Sequence, residues 1–143
     1  MAESFLIKSV SGGGSLEFLG PGVIGGEYGA FGYRVRLTDA NLSAAAEVYY
    51  DLGDPTGLIR DMAERWRGWD GELVWGSLEG ELTLRCTQDR AGHVSIGVEL
   101  TSVPYTCGWS IRATIMAEAG QLEDIARRAE AFFGGLGSRA GDA

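Results

Sequence analysis

The chain has 143 residues, 45% of them apolar and 22% charged, which suits one globular domain and excludes a wholly disordered chain. Its net charge of −8, with one lysine, Lys8, against eleven arginines, leaves no electrostatic footprint for nucleic acid or an anionic membrane. No apolar run reaches the length of a membrane span, and the first ten residues, MAESFLIKSV, lack the regions of a secretory leader, so a cytoplasmic protein is expected.

Residues 5–10 and 15–19 read as short strands around the turn Ser11-Gly12-Gly13-Gly14, and residues 20–30 as a glycine-rich loop. Residues 31–38 alternate: Tyr33, Val35 and Leu37 point one way, Arg34, Arg36 and Thr38 the other, the pattern of a half-buried strand. Asp39-Ala40-Asn41 turns the chain into a returning strand over residues 43–51, with Val48 and Tyr50 on its apolar face. A helix follows, capped by Asp54 with Pro55 at its first position. Its apolar stripe is Leu58, Ile59, Met62, Ala63 and Trp66, and Gly68 stops it.

The pattern then repeats. Residues 72–78, 81–88, 93–101 and 109–117 read as strands, and residues 120–133 as a second helix with Leu122, Ile125, Ala126, Ala129 and Phe132 or Phe133 facing inward. Gly134-Gly135 is expected to end that helix, closing a single domain over residues 1–136 and leaving residues 137–143 as a flexible tail. Strands in runs with a helix after each run argue for an α+β fold with antiparallel sheets. The matches Val35/Val98, Leu37/Leu100, Thr38/Thr101, Gly57/Gly120, Asp61/Asp124 and Ala63/Ala126 fit an internal duplication of a unit of four strands and a helix.

Motifs that carry chemistry are sparse. Gly20-Pro21-Gly22-Val23-Ile24-Gly25 spells the dinucleotide fingerprint, but Pro21 removes an amide and no helix follows, so no cofactor is expected. His93 is the sole histidine, and Cys86 and Cys107 lack metal-ligand spacing, so neither a metal nor a catalytic group is assigned. The two thiols suit a reducing compartment, while a Cys86–Cys107 bridge stays open. Thr83, Arg85, Thr87, Ser95, Glu99, Thr101, Ser110, Arg112 and Thr114 fall on the outward face of the second sheet.

The stretch Trp66-Arg67-Gly68-Trp69-Asp70-Gly71-Glu72, with Trp75 beyond it, is the most distinctive. Its tryptophans read either as core residues docking the helix or as an aromatic anchor beside acidic residues, the composition of a binding hot spot. Glu79 and Glu81, flanking Gly80, read as a solvated acidic rim that joins Asp51, Asp54, Glu64, Asp70 and Glu72 in one patch. The expected partner-binding set is therefore Trp69, Asp70, Glu72, Glu79 and Glu81.

Trp66-Arg67-Gly68-Trp69, Gly71-Glu72-Leu73-Val74-Trp75, Gly92-His93-Val94 and Val98-Glu99-Leu100 resemble a small bacterial family that is itself similar to the WapI-type immunity proteins of polymorphic toxin systems. The likeness spans residues 5–134. It implies a non-enzymatic protein that binds and neutralises a toxin domain, with a basic toxin as the natural partner of an acidic chain. A monomer or small homo-oligomer is expected. The alternative is a small-molecule or catalytic domain with its site near His93 and Glu99.

Overall fold

Alternation of apolar and polar side chains organises the first half of the chain. The computed structural model describes residues 4–24, 30–49, 53–102 and 108–142. An antiparallel meander runs through β1 (Ser4–Lys8), β2 (Ser15–Ile24), β3 (Ala30–Asp39) and β4 (Leu42–Tyr49). Tyr33, Val35 and Leu37 of β3 are buried, and Arg34, Arg36 and Thr38 take the other face. A slip of one residue would invert that arrangement. Cross-strand ion pairs add to the register: Arg34 meets Glu47 of β4 at 3.1 Å, and Arg36 meets Glu17 of β2 at 3.8 Å.

β2 runs further than its composition suggests. The segment expected as a loop from residue 20 continues as strand to Ile24, across a register shift between Leu19 and Gly22. Gly20 adopts a φ of +139°, open to glycine alone at little cost, and a bulge tolerates a proline that cannot donate to the ladder. The glycine motif therefore lies largely on a strand. Residues 25–29 are outside the described residues, as are Tyr50 and Asp51 at the expected end of β4.

The helix α1 (Thr56–Glu64) buries Leu58, Ile59 and Met62. Asp54 Oδ1 accepts the Thr56 N–H at 2.8 Å, so Asp54 serves the helix start from one position further out, with Pro55 at the N-cap rather than inside the helix. The stripe stops short of Trp66: the helix ends at Glu64 with Arg65 as its C-cap, and Trp66 is 52% exposed.

A second meander comprises β5 (Leu73–Gly76), β6 (Leu82–Gln88), β7 (His93–Thr101) and β8 (Ser110–Glu118). Leu84, Cys86, Ile96, Val98 and Ile115 lie on its buried face. A short 3-10 turn, Ala119–Gln121, with a capping box between Glu118 and Gln121, leads into α2 (Leu122–Asp142). α2 continues past Gly134-Gly135 to Asp142, through the residues expected to form a flexible tail. Gly134 keeps a φ outside the left-handed range. Glycine inside a helix costs about 1 kcal/mol relative to alanine, a weakening and not a stop.

The fold is thus α+β: two antiparallel four-stranded sheets, each followed in sequence by a helix, around a shared core. Phe133 of α2 stands edge-on to Phe5, Phe18 and Tyr33 with centroids 5.3–6.2 Å apart. Arg60 of α1 pairs with Glu130 of α2 at 2.8 Å. The sheets are joined where the Val10 N–H donates to Met116 O and the Met116 N–H donates to Ser9 Oγ, both at 2.9 Å.

Candidate functional site

After α1 the chain folds back through Gly68 and Gly71, both with positive φ, to start β5. This turn carries the distinctive tryptophans, and the structure gives them different tasks. Trp69 is half-buried, packs against the core and donates its indole N–H to Cys86 O at 3.1 Å. Trp66 stays exposed; its carbonyl accepts from Gln88 Nε2 at 3.0 Å, and the Arg67 guanidinium lies 5.1 Å from its ring centroid. Trp75 is half-buried against the core. The composition of the stretch announced the aromatic turn but not which indole would be free. Counting Trp66 into the helical stripe hid it.

Asp70 and Glu72 are exposed beside Trp69, and Glu72 pairs with Arg85 at 3.8 Å. A depression of about 310 Å³ lies alongside, lined by Arg67, Gly68, Trp69, Asp70, Gln88, Asp89 and Arg90. Glu79 and Glu81 follow β5, while Asp70 and Glu72 precede it. Glu79 is exposed in the β5–β6 turn. Glu81 is not on a solvated rim: it is 5% exposed and accepts the Ser77 hydroxyl at 2.8 Å. Glu81 therefore adds no solvated carboxylate to an acidic rim, and Asp51 lies outside the described residues.

The outward face of the second sheet carries the residues expected there. Arg112 Nε donates to Glu99 Oε2 at 2.6 Å. A depression of about 230 Å³ lies over Gly97, between Thr83, Arg85, Glu99, Arg112 and Thr114. Its floor suits glycine, since a Cβ at position 97 would stand 3.1 Å from Arg85 O, a tight approach to backbone.

His93 opens β7 in the open. Its Nδ1 is 2.9 Å from Asp89 Oδ2 and its Nε2 is 3.9 Å from Glu118 Oε1. The Asp89 hydrogen bond first, then the charges of Asp89 and Glu118, hold the imidazole above its ordinary pKa. Glu99 is six residues further along the same strand, about 20 Å away at the rise of an extended chain. The two residues proposed to share a site stand apart.

Cys86 is a buried, free thiol, pushed up to about 12 by burial and then by Glu72; Cys107 is outside the described residues. Among the described residues no cluster of three His, Cys, Asp or Glu side chains is arranged to hold a metal, and no helix is long and apolar enough to cross a membrane.

Residues 11–135 match a family described as a family of unknown function, DUF6228. No curated protein and no solved structure matches the chain.

Proposed function

We propose that the chain, which belongs to this family of unknown function, is a non-enzymatic protein-binding module of the immunity type, acting in the cytoplasm. It holds a basic toxin domain through the turn that carries Trp66, Trp69, Asp70 and Glu72. The observation that carries the reading is Trp66, a large apolar side chain 52% exposed on a turn whose backbone is tied down by Gln88. A tryptophan presented from an anchored backbone loses little freedom on docking, and such residues dominate binding energy at protein interfaces. Asp70, exposed on the same turn, and the net charge of −8 favour a basic partner and speed encounter. The resemblance to WapI-type immunity proteins supports toxin neutralisation as the purpose of that binding.

The test is a pull-down with the tagged chain from source-cell lysate supplemented with the products of neighbouring genes, followed by titration of the recovered partner. The expected outcome is one stoichiometric basic protein whose toxicity is suppressed by the chain, and whose affinity falls at least about tenfold with Trp66→Ala or Asp70→Arg. Recovery of no partner, or affinity unchanged in both variants, overturns the assignment.

A further inference from the structure

We infer that the outer edge of β1 is a docking site for an extended, acidic segment of a partner protein, taken up as an added strand. The Ser9 N–H donates to Gly14 O at 2.9 Å across the β1–β2 hairpin, which fixes the alternation of peptide groups. Those of Phe5, Ile7 and Ser9 point toward β2; those of Leu6, Lys8 and Val10 point away from it. Two contacts agree with this assignment. The Val10 N–H turns outward to Met116 O of β8, and Leu6 O turns outward to receive Arg128 Nη1 at 2.6 Å.

β8 does not follow β1 further. It ends at Glu118, and the chain turns into α2, leaving a groove of about 450 Å³ between Leu6–Lys8 and the wall formed by Gly120, Gln121, Asp124, Ile125 and Arg128. Among the described residues the outward Leu6 N–H and both outward groups of Lys8 have no hydrogen-bond partner. An unpaired edge of this kind is able to take up another strand by main-chain hydrogen bonds. The charge of the groove selects which one. Asp124 is already engaged by Arg127 and Arg128, whereas Lys8 makes no ion pair among the described residues. The unmatched charge is positive in a protein of net charge −8, so carboxylates on the incoming segment are matched here and lysines are not. This surface is separate from the Trp66 turn and does not depend on the function proposed for it.

The experiment uses the full chain, isotopically labelled, with two synthetic probes, Thr-Glu-Val-Glu-Val-Thr and Thr-Lys-Val-Lys-Val-Thr. The acidic peptide is expected to slow amide exchange at Leu6 and Lys8 by at least about tenfold, with the basic peptide without effect. Lys8→Pro removes the outward N–H without touching the pairing with β2 and is expected to abolish binding. Lys8→Glu, which keeps the backbone intact, is expected to weaken it, and decides the matter should the proline variant not fold. Exchange unchanged with the acidic peptide, equal protection by both peptides, or binding retained in a folded Lys8→Pro variant and in Lys8→Glu overturns the inference, leaving Lys8 as a guard of the edge.

Discussion

Trp69 and Cys86 are joined by an indole-to-carbonyl hydrogen bond of 3.1 Å, which ties the turn after α1 to the second strand of the second sheet. Trp66, three residues earlier, has no such duty for its ring. Trp69→Phe is therefore expected to lose about 1 kcal/mol of stability in urea unfolding, the usual net worth of one hydrogen bond. Trp66→Ala should stay within about 0.5 kcal/mol of the native chain. Equal losses would mean that Trp66 is structural.

The aromatic cluster should set the stability of the whole fold. Phe133 touches Phe5, Phe18, Tyr33 and Phe132, so Phe133→Ala removes the hub of the cluster and is expected to cost about 3–5 kcal/mol. Tyr33→Phe keeps the ring and deletes only the hydroxyl that donates to Gly53 O at 2.8 Å, for a loss of about 1 kcal/mol. Denaturant melts of the two variants check both figures.

Burial of the Cys86 thiol has a chemical consequence. With the thiol buried and its pKa pushed up to about 12, the native protein at pH 8 should react with a disulfide reagent at least about tenfold more slowly than a free thiol. The rate should rise to the ordinary value in urea. Replacing Cys107 by serine isolates the signal. Rapid native reaction would show that the second sheet opens readily.

His93 gives stability a pH dependence whose sign follows from its raised pKa. The folded chain holds this proton more tightly than the unfolded one, so the contribution is fully present below the ordinary value of 6.5 and is lost as pH rises through the folded value. Asp89 behaves oppositely. Hydrogen bonds from the backbone and side chain of His93 lower its pKa, so its contribution is present above 3.8 and fades as pH falls through the lowered value. Melting temperatures measured from about pH 5 to 8 should fall in the native chain and flatten in His93→Gln. An identical slope in both would remove His93 as the cause.

The parts of the fold that repeat a period were legible in the sequence. The alternation around Tyr33, Val35 and Leu37, and the inward set from Leu122 to Phe132, needed only the hydrophobic pattern. Positions where a local rule meets tertiary context were not legible. Gly134 reads as a stop by propensity, yet the helix passes through it. Gly20 and Gly22 read as loop, yet a bulge lets them continue a strand. Glu81 reads as surface because carboxylates are seldom buried, and nothing nearby in sequence announces that Ser77 turns its hydroxyl toward it. Of the candidate site, the aromatic and acidic turn was visible as composition. The division of labour between Trp66 and Trp69 was not, because it depends on where α1 ends and where the carbonyl of Cys86 points.

The bonds that join the two sheets also set a clock. Ser9 and Met116 are 107 positions apart, and translation at about 5–20 residues per second separates their emergence by roughly 5–20 s. β1 to β4 have time to pair among themselves, while Ser9 and Val10 wait for β8 before their last hydrogen bonds close. During that interval on the ribosome the nascent first sheet offers its edge to whatever strand arrives, so the order of synthesis leaves it open to pairing with a neighbouring chain until β8 emerges.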